Sequence, residues 1–164
     1  MPQKTKPTKP ISSNEALAKI YRYCAYQERS HREVKNKLYD FGLRTSEVDE
    51  LLARLITEGF LNEERYAKAF AGGKFRIMKW GRLKIQRELE MEGLTPRCIN
   101  RGLAEIDPKD YAKTLSTLIK KKASQTPESD PFKKKNKVAR FAISKGYEPE
   151  LVWELINEIA AFKP

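Results

Sequence analysis

Two stretches of this chain carry bases and no acids. Between Glu64 and Glu88 stand Arg65, Lys68, Lys74, Arg76, Lys79, Arg82, Lys84 and Arg87; between Asp130 and Glu148 stand Lys133, Lys134, Lys135, Lys137, Arg140 and Lys145. Lys120, Lys121 and Lys122 come shortly before the second run. Side chains of this type at this density neutralise phosphates or carboxylates and displace counterions; they do not make or break bonds. A merely solvated helix face normally carries both signs. The first third of the chain does so, mixing Glu28, Glu33, Asp40, Glu47, Asp49 and Glu50 among its bases. The candidate contact residues for a polyanion such as nucleic acid are therefore Arg76, Lys79, Arg82, Lys84 and Arg87, with Lys133, Lys134, Lys135, Lys137 and Arg140. Trp80 adds a ring able to stack on a base or an arginine, although plain packing is the commoner role for a tryptophan.

Bond-making chemistry lacks its raw material. The only histidine, His31, falls just after a helix cap, where an exposed side chain is expected. Cys24 and Cys98 are the only thiols, and small buried apolar groups are their expected role. A nucleophile with its base, or a metal held by several His and Cys ligands, cannot be assembled from this set. No G-x-x-x-x-G-K-[ST] loop is present to cradle ATP phosphates, and Gly72-Gly73 reads only as a flexible point. Neither an enzyme, a metal nor a cofactor is expected. The start MPQKTKPTKP has no apolar core of a secretory signal, and no stretch approaches the roughly 20 apolar residues of a membrane span. With no disulfide framework, a reducing, cytoplasmic setting is expected. The net charge of +11 over 164 residues favours a polyanionic partner.

The elements that must carry these bases repeat three times. Residues 30–43 (SHREVKNKLYDFGL), 81–94 (GRLKIQRELEMEGL) and 134–147 (KKNKVARFAISKGY) align on Gly42, Gly93 and Gly146. Counted from each glycine, apolar residues recur at minus eight (Val34, Ile85, Val138), minus four (Leu38, Leu89, Ala142) and plus one (Leu43, Leu94, Tyr147). Beyond it they recur at plus six (Val48, Ile99, Val152), plus ten (Leu52, Leu103, Ile156) and plus thirteen (Leu55, Ile106, Ile159). These spacings put one apolar stripe on a helix before the glycine and another on a helix after it. The glycine itself is placed to end a helix in the left-handed conformation. Ser30 with Glu33, Asn62, Thr95-Pro96, Asp107-Pro108 and Asp130-Pro131 mark helix starts. A further helix precedes each pair, with stripes Leu17/Ile20/Tyr21/Cys24, Tyr66/Phe70/Ile77 and Tyr111/Leu115/Leu118/Ile119. The fold expected is all-α: three tandem three-helix repeats over 12–60, 61–106 and 107–164, stacked into an elongated, curved array. A polar loop over 124–130 interrupts the third, and a disordered basic tail occupies 1–11.

Four segments of this pattern resemble the RecX family, bacterial regulators of the RecA recombinase. Leu61-Asn62-Glu63-Glu64-Arg65-Tyr66-Ala67 is similar to the family's L-[ND]-[DE]-x-R-[FY]-A segment, and Gly81-Arg82-Leu83-Lys84-Ile85-Gln86-Arg87-Glu88-Leu89 with Gly93 to its G-x-x-[RK]-I-x-x-E-L…G stretch. Ser30-x-x-Glu33-Val34-x-x-Lys37-Leu38 looks like its S-x-x-E-L-x-x-K-L opening. Lys137-Val138-x-Arg140-Phe141 with Lys145-Gly146-Tyr147 looks like its C-terminal R-F-L-x-x-R-G-[FY] segment, with Ala142 in place of a larger apolar residue. The resemblance covers residues 14 to 160. It implies tandem three-helix units that bind in the groove of the RecA–single-stranded DNA filament. It also implies inhibition of strand exchange, ATPase and co-protease activities, and so modulation of DNA repair and the SOS response. No catalytic residues are implied.

Two other readings compete. A stand-alone basic DNA-binding module predicts tight binding to bare DNA that falls steeply with salt; no base-reading set of Asn, Gln and Arg on one helix supports it. A protein scaffold of stacked helices predicts no effect on a recombinase. The partners expected are thus the RecA filament and the single-stranded DNA within it, with weak binding to bare DNA, no membrane, and a monomeric protein.

Overall fold

The computed structural model describes residues 11–159 and 162. Every regular element among them is helical: α1 (Ser13–Tyr26), α2 (His31–Asp40), α3 (Thr45–Thr57), α4 (Glu63–Met78), α5 (Arg82–Met91), α6 (Pro96–Leu103), α7 (Pro108–Gln125), α8 (Pro131–Ser144) and α9 (Pro149–Glu158). Of the expected tail, residues 1–10 lie outside the described residues. Ile11 is tied in: its N–H donates to the Phe41 carbonyl (3.3 Å) and its side chain packs on the core of α1–α3.

The local signals do what their chemistry demands. Ser30, Asn62, Thr95, Asp107 and Asp130 each accept a backbone N–H of the first turn they precede, which satisfies donors with no intrahelical partner. α2, α5 and α8 end alike. Gly42, Gly93 and Gly146 donate to Tyr39, Glu90 and Ile143, while Leu43, Leu94 and Tyr147 donate back to Leu38, Leu89 and Ala142. That is the paired bond set of a Schellman ending, with the glycine at positive φ. α3 ends the same way at Gly59, an ending outside the threefold alignment.

The apolar columns are buried, at 9% exposure or less, at minus eight, minus four, plus one, plus six and plus thirteen. At plus ten, Leu52 and Leu103 are only partly covered, while Ile156 is fully buried.

The chain divides into two compact units between Tyr66 and Ala67. In the first, α1–α3 enclose Ala16, Ile20, Cys24, Val34, Leu38, Val48 and Leu55, closed by Leu61. The first turn of α4 belongs here. Tyr66 Oη donates to Glu33 (3.0 Å), Arg65 pairs with Glu28, and His31 Nδ1 lies 3.3 Å from Glu63. His31 is thus half-buried rather than exposed, because its ring is drawn against this turn.

In the second unit, the core face of α4 is Ala67, Ala71 and Phe75, and Ile77, expected in the apolar stripe, is 79% exposed. Small residues decide this. A Cβ on Gly102 of α6 would lie 2.7 Å from the Ala67 carbonyl oxygen, so α4 and α6 touch backbone to backbone along the alanine row. The large side chain that fills the remaining space is Phe75, whose ring stands 5.8 Å from that of Tyr111 on α7.

Candidate anion-binding surface

All ten predicted contact residues fall in the second unit: Arg76 at the end of α4, Lys79 just beyond it, Arg82, Lys84 and Arg87 on α5, and Lys133, Lys134, Lys135, Lys137 and Arg140 on α8. They do not form one continuous surface of free charges.

The first group is organised by a backbone contact. Gly81 N–H donates to the Lys145 carbonyl (2.8 Å) and Leu83 N–H to the Gly146 carbonyl (2.9 Å), so the α4–α5 connection docks on the α8–α9 connection. A Cβ on Gly81 would sit 2.2 Å from the Gly146 carbonyl carbon, and one on Gly146 would sit 2.3 Å from Lys84 Cβ. Only glycines permit this approach. Side chains close it: Tyr147 Oη donates to the Lys79 carbonyl (2.9 Å), and the Tyr111 and Tyr147 rings lie 5.0 Å apart.

Arg82 is consumed by this joint. Its guanidinium pairs with Glu148 (2.8 Å) and lies over the Tyr111 ring (3.9 Å), while its N–H donates to Tyr111 Oη (3.0 Å). The Tyr111 hydroxyl donates in turn to the other Glu148 oxygen. Burial, then the bond to Glu148, raises the Tyr111 phenol far above its ordinary value. Burial and the charge of Glu148 do the same to Tyr147. Arg82 therefore holds two connections together and presents little free charge. The sequence carried a signal for this. Asp107 and Asp130 precede a proline and cap their helices, but Glu148, before Pro149, makes no side-chain cap bond. Its longer side chain reaches away to Arg82.

Beside the joint, Trp80 lies between two ammonium groups, with Lys84 Nζ 4.4 Å and Lys74 Nζ 4.9 Å from its ring, and the Phe70 ring stands 6.4 Å away at a steep angle. The tryptophan both packs and gathers positive charge. Lys79, whose φ is 59°, ends α4 and donates to the Arg76 carbonyl. It also lines a groove of about 240 Å³ with Lys113, Thr114, Thr117 and Leu118. Arg87 folds back to its own helix at the Leu83 carbonyl (3.3 Å).

The second group lies on α8, whose inner face buries Val138, Ala139 and Ala142; Lys133, Lys137 and Arg140 are exposed on the outer face, whereas Lys134 and Lys135, one turn before Val138 and Ala139, are half-buried. Lys133, Lys137 and Arg140 line one groove of about 370 Å³ with Phe132 and Asn136. Lys137 pairs with Glu128 (2.9 Å), whose carboxyl it holds below the usual range. Among the described residues, Lys133, Lys134, Lys135 and Arg140 have no ion-pair partner. The aromatic Phe132, inside a run read only for its charge, went unnoticed in the sequence.

Among the described residues no group of three or more His, Cys, Asp or Glu is placed to hold a metal. Burial pushes the Cys24 thiol up, so it stays protonated. Among them, too, no helix is long and apolar enough to cross a membrane.

Comparison with known proteins decides the lineage. Residues 62–103 match the model of the second three-helix domain of RecX, and residues 109–156 that of the third. The chain belongs to the RecX family. It is 30% identical over 133 residues to the regulatory protein RecX of Clostridium perfringens strain 13, covering 80% of this chain and 62% of that one. To the regulatory protein RecX of Pasteurella multocida it is 29% identical over 140 residues, covering 84% of each. The chain thus spans about three fifths of the clostridial relative's length. The crystal structure of RecX from Lactobacillus salivarius superposes with a TM-score of 0.80 at 21% identity, over 89% of this chain and 95% of that one. A second RecX crystal structure gives 0.80 at 20% identity. The all-α repeat fold is that of the family, and the relatives bear the name of regulators.

Proposed function

We propose that the protein regulates RecA in the bacterial cytoplasm. It binds in the groove of the RecA–single-stranded DNA filament and inhibits strand exchange, ATP hydrolysis and co-protease activity. Regulation of a large assembly suits a chain whose functional side chains are cations on helix faces rather than groups converging on a reacting atom. The observation that carries the contact assignment is the outer face of α8, where Lys133 and Arg140 are exposed and have no acidic partner among the described residues, with the half-buried Lys134 and Lys135, also without one, at its margin. Lys84 beside Trp80, with Arg87, forms a second, separate group on α5. Arg82 is left out of the contact set because Glu148 already neutralises it.

The test is DNA-dependent ATP hydrolysis by the cognate RecA, with and without this protein, at several salt concentrations. Inhibition that saturates with protein and weakens with salt is expected. An unchanged rate at saturating protein would refute the proposal. Charge reversal at Lys133 and Arg140 tests the placement: it should weaken filament binding, and reversal at Lys137, already paired, should matter less. Binding to bare DNA that matches or exceeds binding to the filament would favour a stand-alone DNA-binding module.

A further inference from the structure

We infer that Phe132 and the basic row behind it form a stacking site for one base of a single-stranded nucleic acid. Phe132 is 74% exposed, on the second residue of α8. It has no apolar side chain one turn along to pack against, because positions 135 and 136 are Lys and Asn. Asn136 instead donates to the Phe132 carbonyl (2.9 Å), which leaves the ring face uncovered. The ring opens on the groove it shares with Lys133, Asn136, Lys137 and Arg140. A phenyl ring beside cations is what a sequence-tolerant strand reader uses: a nucleobase stacks on the ring while the lysine and arginine side chains hold the flanking phosphates.

The ring favours one strand over a duplex, because a base of a single strand has a free face for an aromatic ring. Duplex DNA offers no such face without unstacking. An acidic protein surface would satisfy the lysines equally well but gives no use to a bare phenyl ring flanked by charge.

The inference rests on reading α8 as the contact surface of the proposed function, and its test separates the two. The full chain is titrated into a labelled thymidine 15-mer and into an abasic 15-mer, at several salt concentrations, by fluorescence anisotropy. Phe132→Ala should weaken thymidine binding roughly 5- to 150-fold, leave abasic binding unchanged, and leave the slope of log K against log salt unaltered. Phe132→Trp should retain affinity, whereas Phe132→Leu, apolar but not aromatic, should lose it. Lys133→Gln and Arg140→Gln should each reduce the salt slope by about 0.7 on either oligomer. The exposure of position 132 keeps these variants folded, which circular dichroism checks. The inference is overturned if Phe132→Ala binds both oligomers like the parent or loses affinity for both equally. It is also overturned if the parent binds no oligomer at low salt, or if Phe132→Ala weakens only binding to the RecA filament, which would make the ring a protein contact. The ATP hydrolysis assay reports on RecA regulation independently of all these outcomes.

Discussion

Replacing Gly81 by alanine should break the joint that unites α4–α6 with α7–α9. The added methyl would lie 2.2 Å from the Gly146 carbonyl carbon and 2.3 Å from the Tyr147 nitrogen. Both are backbone atoms, so no side chain can swing aside. Overpacking alone costs about 1–3 kcal/mol. Separating the connections also weakens the Gly81–Lys145 and Leu83–Gly146 hydrogen bonds, about 0.5–1.5 kcal/mol each. A total of about 2–6 kcal/mol is expected. The two tryptophans, Trp80 and Trp153, both lie in the second unit, so urea unfolding followed by tryptophan fluorescence reads this unit alone. With an m-value of about 1.5 kcal/mol/M, the midpoint should fall by about 1.3–4 M. Gly73→Ala is the control. It lies within α4, and a Cβ there meets nothing within 4 Å. It should stabilise by about 0.5–1 kcal/mol through helix propensity. A Gly81→Ala midpoint within experimental error of the parent, with Gly73→Ala behaving as expected, would refute the close contact between the two connections.

Two further expectations follow from the same unit. The raised phenols of Tyr111 and Tyr147 mean that the fold favours their neutral forms. Their contribution is therefore intact below the unfolded value of about 10 and is lost as pH climbs above it toward the folded values. Fluorescence-detected stability should fall steeply above that pH, and Tyr111→Phe should flatten the fall; a flat profile up to strong base contradicts the buried network. Phe75→Ala should cost about 3–5 kcal/mol, whereas Ile77→Ala, on an exposed position, should stay within about 0.5 kcal/mol. Equal effects in urea unfolding would mean that α4 presents a different face to its core.

The repeat was legible because its signals are local. Caps at Ser30, Thr95, Asp107 and Asp130 and the glycine endings of α2, α5 and α8 act within one helical turn. The columns around each glycine follow from the helical period. Of the stripe expected on α4, Tyr66 is buried and Phe70 partly so, but Ile77 is exposed, because Ala67, Ala71 and Gly102 set the packing by being small. Phe132 escaped because a charge count does not register a ring.

By itself, then, the chain of residues determined where its helices begin and end, how they repeat, and that the second and third repeats are cationic. Each of those properties depends on neighbours within a few positions. Only the tertiary structure decided which cations stay available. Arg82 finds Glu148 across 66 residues of sequence, and Lys137 finds Glu128 across the loop before α8. Lys133 and Arg140 find no acid among the described residues. A charge is neutralised by whatever packing brings beside it, and that depends on helix contacts between distant segments, which no local pattern records.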